Sequence, residues 1–181
     1  MLKIINLKTL LLILIFAASA YAQESGLNTI KSGDYETISS CGIKLKVPDH
    51  FVLSDRFIGY FHSGTGSSIV ITYTKSQKSK TLYSVFTDKA LAEKNITVVS
   101  RDTLNLSNEI KGYLIVSNTN VVSNDTAKTI TEYERLIFFT DTHDGSVCIN
   151  ANYPKSHSSL LFKVITDCLL SVKPIEINEE K

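Results

Sequence analysis

Ile43-Lys44-Leu45-Lys46-Val47-Pro48-Asp49 is the stretch on which the fold reading turns. Apolar and basic residues alternate strictly over five positions, the period of a strand with one face buried and one in water. Pro48 has no N–H to continue a ladder, so with Asp49 it closes the strand in a turn. A chain that opens on a half-buried strand needs a layer to bury it against.

Toward the C-terminus, the aromatic-rich segment Phe57 to Phe61 predicts a second strand. His62-Ser63-Gly64-Thr65-Gly66-Ser67 then predicts a turn, and Ser68 to Thr74 a third strand carrying Ile69, Val70, Ile71 and Tyr73. Lys75 to Lys80 is a basic polar link. Beyond it the period changes: Leu82, Val85, Phe86 and Ala90 share one helical face, which predicts a helix over Thr81 to Asn95 with Asn95 as its C-terminal cap. Ile96 to Leu106, Ile110 to Asn118, Thr129 to Thr140 and Val147 to Tyr153 read as four more strands. Asp144-Gly145 gives the last pair a hairpin signal, and short turns throughout argue for antiparallel pairing. Leu160, Leu161, Val164, Ile165, Cys168, Leu169 and Val172 fall at i, i+1, i+4, i+5, i+8, i+9 and i+12, an amphipathic helix started by Ser156 or Ser158 and stopped near Pro174. The expected architecture is α+β: a single antiparallel sheet of about six to seven strands, with a central and a C-terminal helix packed on it.

Toward the N-terminus, Gln23 to Ser40 is polar and reads as an exposed lead-in, with a short segment near Tyr35 to Ile38. Met1 to Ala22 reads as a secretory signal peptide. Lys3 and Lys8 flank the apolar run Leu10 to Ala18, and Ala20-Tyr21-Ala22 sets small residues where a signal peptidase cuts. The run is shorter than the roughly 20 residues that span a bilayer. No cysteine follows it to take a lipid. The expected division is 1–22 signal peptide, 23–40 lead-in, 41–173 a single domain and 174–181 a charged tail, in an exported protein.

Of 181 residues, 43% are hydrophobic and 20% charged, which excludes a disordered or coiled-coil chain. With 19 basic against 18 acidic side chains there is no positive excess to neutralise phosphates, and a nucleic-acid partner is not expected. Loss of Met1 to Ala22 removes two lysines and no acid, leaving one more acid than base. Cys41, Cys148 and Cys168 form no zinc spacing. Buried thiols, one disulfide with one thiol left over, and a reactive thiol all remain open.

Chemistry-bearing motifs are sparse. His50, His62, His143 and His157 are too far apart in sequence to form a local metal pair. Asp141-Thr142-His143-Asp144-Gly145 has the composition of a cation site, but Asp is equally the residue of tight turns, and the turn is expected. The Gly64/Gly66 loop lacks the Gly-Lys-Ser/Thr ending of a phosphate cradle. Glu132 and Glu134 share one strand face and Arg135 the other, a pattern of solvated edge charges. No Gly-x-Ser-x-Gly elbow is present. Neither an enzyme nor a cofactor or metal is expected. Asn95-Ile96-Thr97, Asn105-Leu106-Ser107 and Asn124-Asp125-Thr126 are sequons that matter only on a eukaryotic secretory route. The candidate binding set is Tyr60, Phe61 and His62 with Lys75, Lys78 and Lys80, where aromatics bracket the basic link.

The strand closed by Val47-Pro48-Asp49 and Phe51, the helix at Thr81 to Asn95 after three strands, the long meander and the closing helix Leu160 to Val172 resemble the PsbP family. That group takes in the extrinsic photosystem protein, bacterial DcrB-type envelope proteins and a yeast Ran-binding import factor. The resemblance covers about Tyr35 to Lys173. It departs at the aromatic after the proline, often Trp in the family, since this chain has no Trp. It implies an α/β sandwich, no shared enzymatic activity and a binding or assembly role, and it favours a bacterial route. Together with the signal peptide, the expectation is a periplasmic or secreted protein that docks a protein partner in the cell envelope. The alternative is a carrier of a small apolar molecule in a pocket between the sheet and the closing helix.

Overall fold

A computed structural model describes residues 30–106, 110–123 and 128–175. The signal-peptide reading of 1–22 and the charged tail from Glu176 onward lie outside them. The strands are β1 (Ser32–Ile38), β2 (Ile43–Pro48), β3 (Val52–Leu53), β4 (Gly59–His62), β5 (Ser67–Lys75), β6 (Ile96–Asn105), β7 (Lys111–Val122), β8 (Ile130–Asp141), β9 (Gly145–Pro154) and β10 (Lys173–Pro174). The helices are α1 (Ser79–Val85), α2 (Asp88–Ala92) and α3 (Ser158–Leu170).

Seven strands form one antiparallel sheet in the order β3-β4-β5-β9-β8-β7-β6. The expectation of a single sheet is corrected by the opening strand. β2 does not join the meander; it pairs with β1 on one side and β10 on the other in a separate three-stranded sheet. Its alternation was informative about burial and silent about partners. Ile43, Leu45 and Val47 are 0%, 0% and 4% exposed, while Lys44 and Lys46 reach outward. Lys46 and Lys173 place their ammonium groups 5.3 and 5.2 Å from the ring of Tyr35, so cation–π contacts tie the three strands together on the outer face. The end of the lead-in is therefore a strand, although most of β1 is exposed.

The large sheet is covered on both faces, so its central strands carry unbroken apolar runs rather than alternation. Leu136, Ile137, Phe138 and Phe139 of β8 are each 0% exposed. Leu136 and Phe138 join a cluster with Ile149, Ala151 and Tyr153 of β9, Leu161, Ile165, Cys168 and Leu169 of α3, and the inner side of β2. Ile137 and Phe139 face the opposite way, into a cluster with Cys148, Leu82, Phe86 and Leu91.

The central helix is two helices. Phe86 leaves helical geometry at φ −85°, ψ 57°, and the Thr87 hydroxyl accepts the Ala90 N–H to start α2. The break lets Phe86 turn down onto Phe139, with ring centroids 5.0 Å apart. Arg101 fastens the joint from β6, donating to the Phe86 carbonyl at 2.5 Å and to Asp88 at 2.6 Å. Asn95, the expected C-terminal cap, is left-handed (φ 57°) but lies two residues past Glu93, the residue that caps α2, in the turn that leads to β6. At α3 the apolar stripe is as read, but neither serine caps it; Ser158 lies within the first turn and donates to Glu134 Oε2 at 2.6 Å. All three cysteines are buried free thiols.

Leu161→Ala is expected to lower unfolding stability by about 2–5 kcal/mol in urea melts, because the side chain is 0% exposed between α3 and the sheet. Lys163→Ala, on the exposed face of the same helix and losing only its i,i+4 pair with Asp167, should change stability by no more than about 0.5 kcal/mol.

Candidate functional site

The six candidate residues fall at two ends of the large sheet. Ser67 pairs with His62 at one end of β5, and Lys75 pairs with Gly145 at the other. A strand rises about 3.4 Å per residue, which puts the two ends roughly 27 Å apart. The structure therefore does not bring Tyr60, Phe61 and His62 together with Lys75, Lys78 and Lys80.

At the first end Tyr60 is a core residue, 2% exposed, its hydroxyl donating to Glu36 Oε2 at 2.8 Å. Phe61, on the other face, is half-buried and pairs with Val52 of β3. Beside it Val52, Leu53 and Ile58 are 51%, 69% and 47% exposed, an apolar sheet edge. His62 is 5% exposed and held by its own turn: the Thr65 N–H donates to Nδ1 at 3.1 Å, and Ser67 Oγ lies 2.7 Å from Thr65 Oγ1. Because Nδ1 accepts, the neutral ring carries its hydrogen on Nε2. The His50 ring stands edge-on, its centroid 6.4 Å away. Burial first, and then the charges of His50 and His157, hold His62 below the ordinary imidazole range. His50 and His62, apart in sequence, thus face each other at one end of the fold.

At the second end the three lysines are exposed. The acidic turn beneath them organises backbone. Asp141 Oδ1 accepts the Ser79 N–H at 2.7 Å at the start of α1, Asp144 Oδ1 accepts the Tyr73 hydroxyl at 2.7 Å, and the Thr142 N–H donates to the Gly145 carbonyl at 3.0 Å. A Cβ at residue 145 would collide with the Thr74 carbonyl, which is why glycine stands there. This is the turn expected from Asp141 to Gly145. Among the described residues no group of three His, Cys, Asp or Glu side chains could hold a metal ion.

A third feature was missed in the sequence. Ser68, Asn152, Arg135 and Ser117 lie in register across β5, β9, β8 and β7, on the face that carries α1 and α2. Arg135 is 8% exposed, and its Nε donates to Asn152 Oδ1 at 2.6 Å. It has no carboxylate partner among the described residues, and burial pushes its guanidinium down to about 10. Asn150, next on the same face of β9, is 1% exposed, and among the described residues neither amide atom has a hydrogen-bond partner. Glu132 and Glu134 do lie on the opposite face, bonded to Lys155 and Ser158. The available signal was the shared period: Arg135 continues the Ile137/Phe139 face, and Asn150 and Asn152 continue the Cys148 face.

No protein-family model matches the chain, and no curated protein matches it in sequence. Solved structures do match. Cyanobacterial PsbP (CyanoP) from Synechocystis sp. PCC 6803 aligns with a TM-score of 0.53 at 9% identity, over 84% of this chain and 98% of that one. The Saccharomyces cerevisiae Ran-binding protein Mog1p aligns with a TM-score of 0.49 at 13% identity, over 81% of this chain and 97% of that one. The chain has the PsbP-like fold, and at this identity the likeness concerns the fold. Among the described residues no helix is long and apolar enough to cross a membrane.

The buried His62 gives a signed pH dependence. The fold favours the neutral ring, so the unfolded chain, titrating at about 6.5, takes up the proton first. Stability in urea should be level above pH ~6.5 and fall as the pH drops from there toward the lower folded value. His62→Asn should flatten that fall, which equilibrium melts between pH ~7.5 and ~5.5 will measure. A wild-type stability that rises on acidification across that window would contradict the assignment.

Proposed function

We propose that the chain is an exported, non-enzymatic binding module that docks a protein partner in the cell envelope. The observation that carries this reading is the edge at β3 and β4. Val52 and Leu53 of the short strand β3, and Ile58 just before β4, stand about half to two-thirds exposed beside Phe61, and among the described residues β3 has no neighbour on its outer side. Exposed apolar side chains gathered on a sheet edge are a docking surface by their chemistry, since water contact there is unfavourable and the strand offers unpaired backbone groups. Export rests on the signal-like Met1 to Ala22, and the binding role is in keeping with the resemblance to the PsbP group. Lys75, Lys78 and Lys80 form a separate basic surface at the far end. A carrier with a pocket between the sheet and α3 has less support, because Leu161, Ile165 and Leu169 pack there directly with Ile149, Ala151 and Tyr153.

Cross-linking in intact cells, followed by capture of the tagged protein, should recover one dominant envelope protein in near-equal amount. Leu53→Asp should cut that recovery at least about fivefold while leaving the urea midpoint unchanged, since the residue is 69% exposed. The triple change Lys75→Glu, Lys78→Glu, Lys80→Glu should leave it intact. A partnerless protein, or full recovery with L53D, would refute docking through this edge.

A further inference from the structure

We propose that Arg135 and Asn150 form a binding site for a carboxylate that carries a hydrogen-bond donor on the adjacent atom. The two residues sit diagonally across β8 and β9: Asn150 pairs with Ile137, and Arg135 with Asn152. Diagonal neighbours on one sheet face are about 7–8 Å apart at the backbone, so a small group between their side chains touches both. Each is anomalous alone. Arg135 is a buried cation whose Nε–H bonds to a neutral amide, with no carboxylate among the described residues to pair with its terminal nitrogens. Asn150 is 1% exposed with both Oδ1 and Nδ2 unpartnered. Buried polar groups are normally satisfied, and a buried charge normally has a counter-ion.

One ligand satisfies both. A carboxylate accepts from the free arms of the Arg135 guanidinium, whose planar fork matches it, and from Asn150 Nδ2. Asn150 Oδ1 then needs a donor, an N–H or O–H next to the carboxylate. Both amide atoms are unpartnered, so the requirement of one donor and one acceptor holds in either orientation of the amide. The row supplies a single positive charge among neutral neighbours, which suits a monoanion; a phosphate dianion would leave a charge unmatched in a buried place. Ser68 and Ser117 flank the row with small side chains, and Val70, Ile115 and Ile137 continue the face as an apolar floor. Asn152 beside Arg135 is only half-buried and marks the way in. Two sources present this chemistry: a free 2-hydroxy or N-acylamino acid, and the C-terminus of a polypeptide. The site does not depend on the docking reading, because a small acid fills it as well as a chain end.

The test is isothermal titration of the purified chain, with the Arg135 Nε–H signal followed by NMR. The probes are lactate, N-acetylalanine, propionate, N-acetylalanine methylamide and pentaalanine. Lactate and N-acetylalanine should bind about tenfold or more tightly than propionate, which lacks the donor, and the uncharged methylamide should not bind. Arg135→Met and Asn150→Val should each weaken N-acetylalanine at least about tenfold, with urea midpoints near wild type. Asn150→Val removes an unpaired buried amide, while Arg135→Met removes a buried cation whose partner Asn152 is only half-buried and can turn to water. Pentaalanine binding tenfold more tightly than N-acetylalanine identifies a polypeptide end; equal affinity identifies a small acid. If neither acid moves the Arg135 signal at about 20 mM, or binding survives both R135M and N150V, the proposal is overturned.

Discussion

The burial of Leu136-Ile137-Phe138-Phe139 on both faces of β8 is the constraint on which the rest of the structure depends. Successive strand residues point to opposite sides, so four apolar residues in a row cannot be satisfied by one layer. One side is met by α1 and α2, the other by α3 with the three-stranded sheet. The chain before β3 and the chain after β9 meet on that second side because the sheet requires a cover there. β2 and β10 then pair with each other, although their sequences are far apart.

The same constraint explains the break in the central helix. A continuous helix over Thr81 to Asn95 would present a straight stripe, whereas the twisted sheet beneath it is better covered by two short pieces that meet at a buried aromatic. Phe86 fills that corner against Phe139, while Thr87 and Arg101 satisfy the backbone groups that the break exposes. The two clusters share a sheet and no side chain. Toward the Arg135 end the helix-bearing face turns from apolar to polar, with Ser68, Asn152, Arg135 and Ser117 in register and the unpartnered Asn150 beside them.

Local periodicity made much of this legible. The α3 stripe, the Asp144-Gly145 hairpin and the strands from Ile96 onward are set by residues near one another, and those readings describe what the fold does with them. The pairing of β2 was not legible, because alternating Ile43, Leu45 and Val47 state that a face is buried and not which neighbour flanks the strand. The helix break was hidden because Leu82, Phe86 and Ala90 fit one helical face well. At the candidate site the sequence placed Arg135 opposite Glu132 and Glu134, but it took depth in the sheet to show that this face is buried. Likewise His50 and His62 face each other only through the fold, and Tyr60 to His62 are not grouped with the lysines because the length of β5, Ser67 to Lys75, separates them.

Gripped from both sides, β8 and β9 form a single cooperative unit. Native-state amide hydrogen exchange tests this most directly. The amides of Leu136 to Phe139 and Val147 to Ala151 should exchange only through global unfolding, all with one free energy equal to that of the urea melt. Exchange of those amides through a smaller opening, with one covering layer detached and the urea-measured stability intact, would contradict the claim that both layers are needed to hold the sheet.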